Sequence, residues 1–112
     1  MDCIFCKIAN GEIPSTKVYE DDTVVAFNDL EPQAPTHILV IPKKHITSAA
    51  DINEENSGVI AHIFEVIAKI AKEQNMSDGF RVVNNCGDSA GQTVKHIHFH
   101  LMSGRDFTWP AG

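Results

Sequence analysis

The chain has 112 residues, of which 43% are hydrophobic and 21% charged, and its formal net charge at pH 7 is −6. Its length and composition indicate one globular domain, residues 1–112, with enough apolar side chains to form a core. The negative charge argues against nucleic acid or an anionic membrane as the main partner, because both attract basic surfaces.

Two further features of the composition concern the compartment. No apolar run approaches the roughly 18 residues of a transmembrane helix, and the N-terminal residues lack a basic segment followed by an apolar one. Three cysteines are an odd count for a disulfide framework. We therefore expect a protein of the reducing cytoplasm.

The first half of the chain predicts a hairpin and a central strand. Residues 17–20 and 23–28 are rich in β-branched and aromatic side chains, and the two aspartates between them are typical of a hairpin turn. Two prolines then indicate a loop. Residues 37–42 are almost continuously apolar, which is typical of a strand buried within a sheet.

The second half predicts one helix and two more strands. Apolar residues recur at three- and four-residue steps over 59–71, with Ser57 as the predicted N-cap and an end near Asn75. Strands are predicted at 80–84 and 94–102. The order of elements indicates an α+β domain, in which a helix covers one face of an antiparallel sheet.

The last predicted strand alternates histidine with apolar residues. Because successive side chains of a strand point to opposite faces, His96, His98 and His100 should share one face. A neutral imidazole can act as nucleophile or exchange a proton near neutral pH. The His-x-His spacing also suits zinc, so a metal-ligand role remains an alternative.

A Cys-x-x-Cys pair, Cys3 and Cys6, opens the chain. This spacing is typical of zinc sites, but a structural zinc needs four ligands, and histidines such as His45 and His96 would have to complete the set. A redox pair and two buried thiols are the alternatives.

Polar residues precede the histidine strand and follow the second strand. In the loop 85–93, glycine amides and the side chains of Asn85, Gln92 and Thr93 can donate to an anion, although a plain turn has the same composition.

Asp29 follows the second strand, where it can cap a turn or accept hydrogen bonds from ribose hydroxyls.

These segments together resemble the histidine triad (HIT) superfamily, in particular its Hint branch. His-Ile-His-Phe-His-Leu-Met at 96–102 is similar to the motif His-φ-His-φ-His-φ-φ, where φ is apolar. Further segments match in order and spacing, so the resemblance covers essentially the whole chain: Phe5-Cys6-Lys7-Ile8, Glu12-Ile13-Pro14, Pro35-Thr36-His37, residues 40–45, Gly91-Gln92-Thr93 and residues 104–110.

The resemblance implies a five-stranded antiparallel sheet with one long helix, and a symmetric homodimer whose two sheets form one continuous sheet. It implies a hydrolase that cleaves the P–N bond of purine nucleoside phosphoramidates, such as AMP linked to an amine or to lysine, through a nucleotidyl-histidine intermediate. A dimeric nucleotide-binding adaptor with incidental hydrolysis is the alternative function.

The resemblance also implies residue roles. His98 would attack the α-phosphorus, His100 and His37 would contact the phosphate, and His96 would support the site. The phosphate of the nucleotide would be held by Asn85, Gly91, Gln92 and Thr93, and the ribose by Asp29. The base would lie among Phe5, Ile8, Phe27 and Leu30. Trp109 would reach the partner's site, although a tryptophan in the tail can also simply pack on its own subunit. Cys3, Cys6, His45 and His96 resemble the ligands of a structural zinc, and no catalytic metal is expected.

Overall fold

The computed structural model describes residues 3–112 and shows an α+β arrangement. Two helices and five strands follow one another as α1 (Ile4–Ala9), β1 (Lys17–Glu20), β2 (Val24–Asn28), β3 (Thr36–Pro42), α2 (Ser57–Glu73), β4 (Arg81–Val83) and β5 (Phe99–Ser103). Short 3-10 turns lie at Ala49–Asp51 and Asp88–Ala90.

The five strands form one antiparallel sheet in the order β1-β2-β3-β5-β4. The apolar strand β3 lies in the middle, with Val40 paired to Ala26 of β2 and Leu39 paired to His100 of β5. The predicted fold class and the central position of β3 are confirmed. This pairing also brings the end of the histidine stretch beside the strand that carries His37.

Helix α2 covers one face of the sheet with the apolar stripe that the sequence predicts. Its buried residues include Ile63, Ile67 and Ile70. They pack with the apolar half of the histidine stretch, Ile97, Phe99 and Leu101, so the histidines are left to the other face. Among residues 3–112, no helix combines the length and apolar character that crossing a bilayer requires.

Helix α1 packs on the opposite face of the sheet and was not predicted. Its Phe5 and Ile8 contact Phe27 of β2 and Leu39 of β3. The helix begins at an unusual cap, because the Cys3 sulfur accepts the backbone N–H of Cys6 at 3.3 Å. A thiol is not a typical N-cap, so the start of the helix was hard to predict. The three-residue spacing of Phe5 and Ile8, however, is typical of one face of a helix.

The structure moves several predicted boundaries by one or two residues, and it moves the start of the histidine strand further. The histidine strand begins at Phe99 and not at residue 94, because side chains occupy the backbone acceptors before it. The carbonyl of His96 binds the ring of His98, and the carbonyl of His98 accepts the side-chain N–H of Asn84. The N-cap of α2 is Asn56, and the predicted cap Ser57 is the first helical residue.

A polar contact joins α2 to the β1–β2 turn. The Asp21 carboxylate accepts from the Tyr19 hydroxyl at 2.6 Å and from His62 Nε2 at 2.6 Å, while His62 Nδ1 lies 2.9 Å from Glu65. The hydrogen bond to Asp21 is the main cause of a raised pKa of His62, and the bond to Glu65 adds to it. Burial raises the pKa of Asp21, but the hydrogen bonds from Tyr19 and His62 outweigh it and lower the pKa overall.

We expect His62→Gln to lower the free energy of unfolding by less than about 1 kcal/mol at about pH 6, because solvent weakens a half-exposed ion pair. The folded-state pKa of His62 lies above 6.5, so its stabilisation is present below that pH and is lost as the pH rises through the folded value. Urea unfolding of both proteins at about pH 6 and about pH 9 measures the difference between their free energies of unfolding. An equal difference at both pH values would contradict this assignment.

Candidate active site

The histidine face of the sheet forms one wall of a cleft of about 490 Å³. Helix α1, β2, β3 and the start of β5 all contribute side chains, so the cleft combines apolar walls with titratable groups. The predicted site residues among its lining are Phe5, Ile8, Phe27, Asp29, Leu30, His37, Thr93, His98 and His100. Its volume suits a small organic ligand.

His98 is held by a backbone acceptor. Its Nδ1 lies 2.8 Å from the carbonyl oxygen of His96. Because a carbonyl can only accept, Nδ1 must carry the proton, and Nε2 keeps its lone pair. The ring is buried and packs edge-on against Phe5, with centroids 5.1 Å apart. His98 therefore has the tautomer that a nucleophile needs.

His37 and His100 are held in the opposite tautomer. The backbone N–H of Gln33 donates to His37 Nδ1 at 2.9 Å, so the proton of His37 is on Nε2. His37 Nε2 lies 2.9 Å from His100 Nδ1 and 3.4 Å from the Asp29 carboxylate. His100 Nδ1 consequently accepts, and its proton is on Nε2.

Burial keeps these two rings neutral. It lowers the pKa of His37, partly offset by the charge of Asp29, and it lowers the pKa of His100 to about 4, helped by His98 and His37. The centroids of His98 and His100 are 5.1 Å apart. The cleft thus holds a bare ring nitrogen beside a ring N–H, which are the parts of nucleophilic displacement with proton transfer.

A second cluster lies next to the first, formed by Cys3, Cys6, His45 and His96, whose donor atoms all lie within 4.8 Å of one another. His96 Nδ1 is 3.3 Å from the Cys3 sulfur and 3.4 Å from the Cys6 sulfur, and His45 Nδ1 is 3.3 Å from Cys6. Zinc bond lengths put sulfur and nitrogen ligands about 3.5 Å apart in a tetrahedron. The donor set and spacing therefore fit zinc.

The protonation chemistry of this cluster also fits a dication. His96 Nε2 donates to the Pro42 carbonyl at 2.8 Å, which leaves Nδ1 with a lone pair directed at the sulfurs. Burial and the neighbouring Cys3 raise the pKa of the Cys6 thiol to about 11. Burial also lowers the pKa of His96 to about 4. A bound cation would turn the thiols into thiolates and use the neutral imidazole.

The loop 85–93 is placed differently from the cleft residues. Gln92 is 3% exposed, and its side chain binds the N–H of Gly87 and the carbonyls of Thr47 and Val94. Its amide groups thus hold the loop in shape. Within residues 3–112, the cleft lining includes Thr93 but not Asn85, Gly91, Gln92 or Trp109.

Two residues that sequence reasoning missed contact the histidines directly. Asn84 Nδ2 donates to the carbonyl of His98 at 2.9 Å, and the Gln33 amide donates to His37. An amide side chain at the end of a predicted strand, as Asn84 has, could have indicated from the sequence a hydrogen bond to the neighbouring backbone. Gln33 acts through its backbone, so its residue type could not have revealed it. Two predicted residues are largely exposed: Leu30 at 95% and Trp109 at 85%.

Comparisons with known proteins agree with this geometry. The family model described as "Scavenger mRNA decapping enzyme C-term binding" matches residues 2–108. A 14 kDa zinc-binding protein of Zea mays is 49% identical over 97% of this chain and 87% of that protein. A HIT family hydrolase from Legionella pneumophila has a TM-score of 0.97 and 50% identity, covering 99% of this chain and 100% of that one. A histidine triad nucleotide-binding protein from Candida albicans has a TM-score of 0.83 and 35% identity, covering 99% and 85%.

We expect the free energy of unfolding to fall as the pH is lowered from 6.5 towards about 4, because the unfolded chain binds protons that the buried His100 does not. His100→Asn removes this group while keeping polar atoms in its place, so the fall should be smaller. Urea unfolding at about pH 6.5 and about pH 5, with zinc present, compares the two proteins. A fall of the same size in both would show that His100 is not held neutral by the fold.

Proposed function

Because the chain belongs to the histidine triad (HIT) family, we propose that it hydrolyses the P–N bond of purine nucleoside phosphoramidates, such as AMP linked to an amine or to lysine. The observation that carries the proposal is the tautomer pair, a bare Nε2 on His98 beside an N–H on His100, within one cleft. Relatives described as a hydrolase and as a nucleotide-binding protein support it.

In the first step, His98 Nε2 attacks the α-phosphorus as the P–N bond breaks. His98 Nδ1–H keeps donating to the His96 carbonyl, which stabilises the positive charge on the ring as Nε2 becomes bonded to phosphorus. The leaving nitrogen must take up one proton. The free pair is neutral, but the bound phosphoryl anion favours a protonated imidazole beside it. The His100–His37 pair therefore takes up one proton from solvent when the substrate binds, and it passes that proton to the leaving nitrogen.

In the second step, water attacks the phosphorus of the nucleotidyl-histidine and the bond to Nε2 breaks. One proton of the water passes to the His100–His37 pair. When AMP leaves, the pair releases that proton to solvent, and His98 recovers its lone pair. Each turnover thus ends with the histidines in their starting state. In this scheme every proton is carried by solvent or by the site's own side chains.

We further propose that the nucleoside lies across the apolar part of the cleft. Phe5 and Phe27, with centroids 5.7 Å apart, together with Ile8, form a buried surface on which a purine can pack. Leu30 would cover the base from the rim. Asp29 would accept the ribose hydroxyls, since its carboxylate lies beside His37 at the same wall.

The second cluster would hold a structural zinc ion, bound by Cys3, Cys6, His45 and His96. The zinc would supply a cross-link between α1, the residues after β3 and the approach to β5. His96 serves both sites, since its ring belongs to the cluster and its carbonyl orients His98. The description of the maize relative as a zinc-binding protein supports this proposal.

We also propose that the chain is a single domain that acts as a symmetric cytoplasmic homodimer, its two sheets joined into one. Strand β4 is an edge strand, and Phe64 and Phe80 are exposed at 47% and 43%. An open edge with exposed aromatic side chains is suited to association. Trp109 would then act from the partner's tail, while Asn85, Gly91 and Gln92 would act through the loop that leads to Thr93.

We expect His98→Ala to reduce phosphoramidate hydrolysis at least about 1000-fold, because it removes the nucleophile. AMP binding should persist, since the apolar walls are untouched. Mass spectrometry of the wild type mixed with an adenosine phosphoramidate should show a transient gain of one AMP on the peptide that contains His98. Turnover that survives in His98→Ala, or an adduct on another peptide, would refute the proposed function.

We expect Cys6→Ser to lower the melting temperature by about 5 °C or more, because it removes one of four zinc ligands. The protein that remains folded should still turn over substrate. Cys86→Ser is the matched control, since Cys86 is exposed and outside the cluster, and its melting temperature should equal that of the wild type. Immediate loss of turnover on chelation, before any unfolding, would instead indicate a catalytic metal.

A further inference from the structure

The tail that follows β5 docks on the loop that precedes His37. Gly104 has a φ of +97°, and a Cβ at this position would lie 2.9 Å from the Cβ of Pro35. The next residue, Arg105, donates from Nε to the carbonyl of Gln33 at 3.0 Å. Its guanidinium also lies 4.3 Å from the centroid of Phe107. Two adjacent tail residues therefore contact the same loop.

The loop residue that Arg105 holds is the one that sets the tautomer of His37. Gln33 is bound on both sides of its Cα: its carbonyl accepts from Arg105, and its N–H donates to His37 Nδ1 at 2.9 Å. Because an amide N–H can only donate, this contact keeps the proton of His37 on Nε2. That proton faces His100 Nδ1 at 2.9 Å and so leaves the proton of His100 on Nε2.

We propose that Arg105 is a positioning residue for the hydrolysis: through Gln33 it holds His37, and through His37 it holds His100, in the tautomers that direct the Nε2–H of His100 at the substrate. The inference rests on the proposed function, since the orientation of His100 affects turnover only if the cleft carries out the reaction. It assigns a role in the active site to an exposed side chain outside the cleft.

The chemistry of the contact requires a guanidinium. Arg105 binds the Gln33 carbonyl through Nε and the Asp106 carbonyl through Nη1, also at 3.0 Å, while its guanidinium carbon lies over the Phe107 ring. A lysine has one ammonium group, so it cannot make both hydrogen bonds in this fixed geometry and lie over the ring at the same time. The Arg105 side chain thereby restrains the position of Gln33.

A second arginine provides the control. Arg81 also packs on Phe107, at 5.1 Å, and its Nη2 donates to the Thr108 carbonyl at 2.9 Å. It therefore anchors the tail without contacting Gln33. If anchoring of the tail were all that mattered, truncation of either arginine would have the same effect. If Arg105 acts through Gln33, only its truncation should change the histidines.

The experiment compares Arg105→Met, Arg105→Lys and Arg81→Met in the full chain loaded with zinc. Imidazole nitrogen chemical shifts report the tautomers of His37 and His100 in the free protein at about pH 7.5. We expect Arg105→Met to convert both rings into tautomer mixtures and to lower kcat about fivefold with little change in KM. Arg105→Lys should keep the wild-type tautomers only in part, and Arg81→Met should leave the tautomers of both rings unchanged.

The tautomer measurement tests the role of Arg105, and the hydrolysis assay tests the proposed function, so each can fail without the other. Unchanged tautomers in Arg105→Met, or the same tautomer mixtures in Arg81→Met, would overturn the role of Arg105 whatever the chain hydrolyses. If the tautomers change as expected but no phosphoramidate is cleaved by the wild type, the proposed function is wrong and the positioning chain stands. Gln33→Pro, which removes the amide hydrogen, and Gln33→Ala, which keeps it, repeat the tautomer test independently. Wild-type tautomers in Gln33→Pro would also overturn the inference.

Discussion

The site depends on one hydrogen bond, from His98 Nδ1 to the carbonyl of His96 at 2.8 Å. The carbonyl has no hydrogen to give, so this contact alone decides which nitrogen of His98 is bare. A side chain therefore occupies this carbonyl, as Asn84 occupies the carbonyl of His98, in the segment just before β5 begins at Phe99. The contact orients the ring at the point where the sheet ends.

The neighbouring histidines differ because their backbone partners differ. His96 donates to a carbonyl, as His98 does, but through the other nitrogen, so its lone pair faces the sulfurs of Cys3 and Cys6. His37 meets a backbone amide and must accept. Identical side chains thus acquire the proton positions that suit a metal ligand, a nucleophile and a proton carrier. The type of backbone group that each ring meets produces this division.

Sequence reasoning predicted what depends on periodicity and spacing. The strands, helix α2, the two faces of the histidine stretch and the cluster of Cys3, Cys6, His45 and His96 follow from such patterns, and the structure has all of them. It missed helix α1, whose cap is a sulfur, and the contacts of Gln33. Tautomers depend on which donor or acceptor atom approaches a ring, and that is a property of the folded chain and not of any local pattern.

The alternation of rings and apolar side chains along 96–101 limits how this segment can change. Ile97, Phe99 and Leu101 are buried beneath α2, whereas the histidines face the other way. Inserting or deleting one residue just before Phe99 would reverse the alternation, sending imidazoles beneath the helix and aliphatic groups into the cleft. The stretch can therefore accept substitutions among apolar residues, but not a change of its length by one residue.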